Sequence, residues 1–170
     1  MFFPMQFAKD SFYVALRDRL AALNPARVVY LDGASRPAVI VAENRAPGAT
    51  VPFDDAFYLR WGAVRTVAST QHARRPLLAL DCVISYRTSG TADNSFTDRG
   101  RTVATLDLEL LSIGSPGVTA KQDFSQASVL DLGTKVLWRR PQLSDLEVVG
   151  SELRRSAPLT IFFFPEVELP

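Results

Sequence analysis

Apolar side chains recur every three or four residues over 10–23, where Phe12, Leu16, Leu20 and Leu23 form one stripe with Tyr13 beside it. Arg17, Asp18 and Arg19 face away from that stripe. The spacing predicts an amphipathic helix, capped at Asp10 or Ser11 and stopped by Asn24-Pro25. Residues 28–31 read as a short strand closed by a turn at Asp32-Gly33, and 38–42 as a second one entered through Pro37. Residues 44–55 hold Pro47, Gly48 and Pro52 without periodicity and read as a loop.

Two long strands follow. Over 57–68, Phe57, Leu59, Trp61 and Ala63 alternate with Tyr58, Arg60 and Gly62, and Gly62 marks a bulge or a close backbone approach. Over 77–88, Leu78, Leu80, Cys82, Ile84 and Tyr86 share one face, against Asp81, Ser85 and Arg87 on the other. The polar turn 70–75 makes this pair an antiparallel hairpin. A second helix is expected over 98–113, with Val103, Leu106, Leu110 and Ile113 inward and Gly114 as the stop. Residues 115–132 read as long and mostly irregular, 133–139 as a strand, 143–155 as ambiguous, and 159–164 as a strand apolar on both faces.

The order is helix, two short strands, two long strands, helix, two strands. It predicts one α+β domain over 1–170, with a mixed or mainly antiparallel sheet of about five strands and two main helices packed on it. Neither a repeat nor a linker divides the chain.

Composition excludes several classes. Hydrophobic residues are 47% and charged residues 22%, a globular balance, and the net charge of +1 is far from that of a general nucleic-acid binder. No apolar run approaches the roughly 20 residues needed to span a bilayer. The apolar start Met1-Phe2-Phe3-Pro4-Met5 lacks a basic leader and is too short for a signal peptide, which implies a protein made in the cytoplasm. Cys82 is the only cysteine, so no internal disulfide is possible. Three of the 19 basic residues are lysines (Lys9, Lys121, Lys135), leaving 16 arginines. Arginine suits interfaces because its planar fork matches a carboxylate with two hydrogen bonds.

Candidate chemistry is sparse. His72, the only histidine, lies beside Arg74 and Arg75, and neither a zinc-ligand cluster nor a G-x-S-x-G elbow accompanies it. Phosphate-binding glycine motifs do not occur. The carboxylate pairs Asp54 with Asp55 and Asp107 with Glu109 read as solvated charges, and Asp81 as facing solvent or paired with an arginine on the neighbouring strand. The expectation is therefore no enzyme, no cofactor and no metal. Arg60, Arg65, Arg87, Arg99 and Arg101 remain as a candidate basic interface, set against internal ion pairing with Asp81, Asp93 and Asp98.

The helix Phe12-x3-Leu16-x3-Leu20-x2-Leu23, the strand Pro37-Ala38-Val39-Ile40, the arginine-bearing hairpin and the helix over 98–113 together resemble the tail terminator, or tail-completion (minor tail), proteins of long-tailed bacteriophages. The resemblance is one of order and pattern over most of the chain. It implies a small α+β structural subunit, not an enzyme, that forms a homo-oligomeric ring, typically a hexamer. The partners would be copies of itself and tail-tube or head-connector proteins, with no membrane or sequence-specific nucleic acid, and the location a virion tail. The segment 1–7 and the stretch 115–132 depart from that pattern. The competing expectation is a small-molecule-binding or enzymatic α+β domain whose pocket is lined by Trp61, Tyr86 and Trp138.

Overall fold

The computed structural model describes residues 4–44, 52–67, 75–89 and 96–166. Helix α1 spans Pro4–Leu23 and α2 spans Phe96–Ile113. Nine strands accompany them: β1 Val28–Leu31, β2 Ala34–Pro37, β3 Val39–Val41, β4 Phe57–Thr66, β5 Leu78–Ser89, β6 Val118–Asp123, β7 Leu130–Trp138, β8 Glu147–Val149 and β9 Glu152–Phe163. The fold is α+β, as expected. The sheet is larger than expected: seven strands in the order β3-β4-β5-β9-β7-β6, with β8 also on β9, plus a separate ribbon of β1 and β2. Among the described residues only β3 and β4 run parallel.

β5 and β9 form the spine, paired without interruption from Leu78↔Phe163 to Ser89↔Glu152. The predicted alternation along β5 holds, with Leu78, Leu80, Cys82, Ile84 and Tyr86 buried on the face that the helices cover. β4 pairs with β5 antiparallel, and its register slips between Trp61 and Val64, so Gly62 does mark a bulge. The predicted break over 115–132 does not stand, because β6 and β7 form a hairpin across it. The buried positions of β6 are the charged Lys121 and Asp123, and β7 buries only Val136 and Trp138 near its end, so neither strand shows a sustained apolar alternation.

α1 begins before the predicted cap at Asp10 or Ser11. Ala8, Phe12, Leu16 and Leu20 are buried, whereas Leu23 is 50% exposed, so the stripe lies one turn nearer the N-terminus. Phe12 is the centre of the core. Its ring sits edge-on to Trp61 at 5.8 Å and to Trp138 at 4.9 Å. Ser11 is buried with its hydroxyl donating to Phe7 O at 2.6 Å and accepting from Gln122 N at 2.9 Å, which fastens α1 to β6.

Arg19, expected to face away, instead reaches the end of α2. Its guanidinium donates to Ile113 O, Pro116 O and Val118 O at 2.9, 2.7 and 2.9 Å and lies over the Trp138 ring at 5.4 Å. A cation is favoured there because the last helical carbonyls have no partner within the helix. Gly117 is required by a close approach: a Cβ there would come within 2.0 Å of Trp138 O. The β1–β2 turn needs left-handed backbone at both central positions, which Asp32 (φ 51°) and Gly33 (φ 77°) supply.

Replacing Phe12 by Ala removes the ring shared by two tryptophans and should cost about 3–5 kcal/mol in urea unfolding. A loss below about 1 kcal/mol would show that the layers close over the gap and that Phe12 does not organise the core.

Candidate functional site

The alternation of β5 decides where the arginines go. With Leu80, Cys82, Ile84 and Tyr86 under the helices, Asp81, Val83, Ser85 and Arg87 project from the opposite face of the sheet. Arg60 stands across from Val83, and Arg65 bonds to Asp81, so both belong to that open face. Arg101 is an exposed residue of α2, on the helical side. The structure therefore divides the four described arginines between two sides of the sheet instead of gathering them on one surface. The side chain of Arg99 lies outside the described residues.

Two of the set are held internally. Arg65 donates from Nη1 to both oxygens of Asp81 at 2.8 and 2.9 Å, the cross-strand partnership anticipated for Asp81, and Thr160 adds a hydrogen bond at 2.8 Å. Arg87 is largely covered and pairs with Asp54 at 3.0 Å and Glu152 at 2.6 Å, while also donating to Pro52 O. Arg60 and Arg101 are exposed and make no ion pair among the described residues.

The carboxylates of α2 are not the solvated charges expected. Glu109 is 6% exposed. It accepts from Arg27 Nε and Nη2 at 2.7 and 3.1 Å and from Asn24 Nδ2 at 2.6 Å. Asp107 accepts from the Tyr86 hydroxyl and pairs with Arg155 Nε at 3.0 Å. These groups occupy one another. Burial, and then the hydrogen bond to Asp107, push the Tyr86 hydroxyl pKa up, so it stays protonated and donating. The Cys82 thiol, buried in the core, is pushed up to about 12 by desolvation and is no nucleophile at neutral pH.

The proposed aromatic lining is spent in the same interior. Trp61 and Trp138 flank Phe12, Trp138 donates from Nε1 to Gly114 O at 2.9 Å, and Tyr86 lies 5.3 Å from Phe57. None of the three lines either of the two principal concavities. One of these is a groove between the β1–β2 ribbon and β3, and the other lies where β7 and the 139–142 segment diverge from β9. Among the described residues no group of three or more His, Cys, Asp or Glu is arranged to hold a metal ion, and no helix is long and apolar enough to cross a membrane. His72 and Asp93 lie outside the described residues.

What sequence reasoning missed is apolar and at strand edges. Tyr30 (72% exposed) stands on the outer face of the ribbon, and Val148 (69%), Val149 and Leu146 line β8. β3 and β8 lie at opposite sides of the β5–β9 spine, and neither has a further strand beyond it among the described residues. A strand of three residues is too short to announce itself by alternation.

No family model matches the chain, and none of the curated proteins does. Among solved structures, the chain is similar to one from the structure described as "Virion of native gene transfer agent (GTA) particle", at 16% identity and a TM-score of 0.40, covering 95% of this chain and 98% of that one.

Asp81 is held below the usual carboxylate range first by the Arg65 hydrogen bond, and Glu152 first by Arg154. A lowered folded pKa stabilises the protein above the unfolded value of about 4, and the stabilisation is lost as pH falls through the folded value. The melting temperature should therefore be flat near neutrality and drop below about pH 4. Asp81→Asn should melt lower at pH 7 and fall less steeply in acid. Parallel curves for the two proteins would remove the Arg65–Asp81 pair from the acid response.

Proposed function

We propose that the chain is a structural assembly subunit resembling a phage or prophage tail terminator, a ring-forming protein that caps a tail tube. The observation that supports this reading most is the contrast between its polar and apolar groups. Its half-buried ionisable side chains are consumed in internal pairs, Arg27 with Glu109 and Arg155 with Asp107. Its exposed large apolar side chains instead include strand-edge positions such as Val148, Val149 and Tyr30. Large apolar residues exposed beside open strand edges are the surface of a subunit that adds to another chain.

The basic residues fit a second contact in such an assembly. Arg60 on the open sheet face and Arg101 on α2 make no ion pair among the described residues, and with Arg99 they would meet a partner's carboxylates. Arg99 falls in the first turn of α2, where positive charge is unfavourable by itself and an acidic neighbour offsets it. Arg65 and Arg87 contribute by fixing the sheet that carries Arg60.

Electron microscopy of the purified chain added to tail tubes should show rings at the tube end. The double variant Arg99→Glu, Arg101→Glu should keep its far-UV circular dichroism and its stability within about 0.5 kcal/mol while tail assembly is lost. Normal tail assembly with both charges reversed would reduce this patch to a solvated face.

A further inference from the structure

We infer that two copies of this chain join head to tail, with β8 of one copy entering the groove between β3 and the β1–β2 ribbon of the next. The inference rests on the assembly reading above and names the surfaces that would carry it.

The donor is an apolar ridge with acidic flanks. In β8, Val148 stands across from Leu153, and Leu146 lies just before the strand. Both are exposed, at 69% and 42%, and Asp145 and Glu147 beside them are exposed and make no ion pair among the described residues. Among the described residues the outer edge of β8 has no partner strand, so its backbone donors and acceptors face outward.

The acceptor is a groove with an apolar floor and one arginine along it. Val29, Leu31, Val39 and Ile40 line the groove, with Arg36 and the turn residue Asp32 along it. Arg36 is exposed and makes no ion pair among the described residues. β3 offers an edge with no strand on its outer side among the described residues, and a two-stranded ribbon such as β1–β2 is marginal until a further strand or layer is packed with it. An extended segment laid in this groove would find backbone partners on β3, apolar floor for Leu146 and Val148, and Arg36 for Asp145 or Glu147.

The position of the two surfaces selects the symmetry. The order β3-β4-β5-β9, with β8 on the far side of β9, puts donor and acceptor at opposite edges of one sheet. Four strand steps of about 4.8 Å separate them by roughly 19 Å. A reciprocal two-fold dimer would have to bring both edges of the sheet into one interface, whereas surfaces that face opposite ways favour head-to-tail addition. Such addition runs in one direction, and the series closes to a ring when the rotation per copy divides the circle.

Single-cysteine chemistry tests this directly, because the native Cys82 is 1% exposed. Val148→Cys and Asn44→Cys, the latter on the groove wall, are mixed as separate full-length proteins under mild oxidant. The mixed disulfide should form at least tenfold faster than between Leu108→Cys, on the exposed surface of α2, and Asn44→Cys. Val148→Asp should abolish oligomers in sedimentation with an unchanged circular dichroism spectrum and melting temperature. If the wild-type chain forms oligomers, yet the Val148–Asn44 pair cross-links no faster than the control, the docking is wrong and the assembly reading stands. If it stays monomeric at every concentration and forms no rings on tail tubes, both fail together.

Discussion

The unbroken pairing of β5 with β9 is the constraint on which the other elements depend. It runs over all twelve residues of each strand, and β9 then has to share its other side among shorter partners. β8 takes Glu152 to Arg154, and β7 takes Phe162 and Ile161. Between them Ser144 accounts for one further bond to Ser156. The stretch around Pro158 is left with a strand on one side only, where a residue without an N–H is tolerated. The second concavity opens at this parting, and β8 is carried out past the end of β7. The exposed edge is thus a consequence of how a long strand was partnered.

The helices are fixed to that sheet by a small number of polar ties as well as by the core. Arg27 and Asn24 close on Glu109, joining the end of α1 to the middle of α2. Arg19 caps the end of α2 and holds the turn that leads into β6. Arg155 and Tyr86 bring Asp107 down onto the sheet. Each carboxylate has enough donors to offset its desolvation, which a lone buried charge would not. The geometry of these ties is closed, with donors and carboxylate oxygens facing one another.

Much of the fold was legible wherever one face is buried and the other is not. β5 and α2 showed themselves by period alone, and the β1–β2 turn by Asp32-Gly33. β9 did not, because Glu152 to Arg155 is polar while Ile161 to Phe163 is apolar, and one strand with two environments reads as two segments. Leu23 was assigned to the core because helical spacing cannot say where the covering layer ends. The internal pairing of two of the arginines was hidden for a related reason. Asp81 and Glu152 reach Arg65 and Arg87 through strand pairing, at sequence separations of 16 and 65. Only the Asp81 pairing, argued from a neighbouring strand, was within reach of the sequence.

The edges themselves distinguish protection from invitation. β6, the last strand of the order, carries the devices that stop a sheet from growing. A register shift falls between Ala120 and Gln122, and Lys121 at that point is fully buried. Its ammonium bonds to Phe164 O and Glu166 and lies over the Phe163 ring, so the segment after β9 is drawn across it. Inward charge and a bulge are the usual means by which an edge strand is made unfit to pair. β8 has neither bulge nor inward charge and presents valines. A sheet guarded at one margin and open at another among the described residues is asymmetric, and the proposed head-to-tail addition requires that asymmetry.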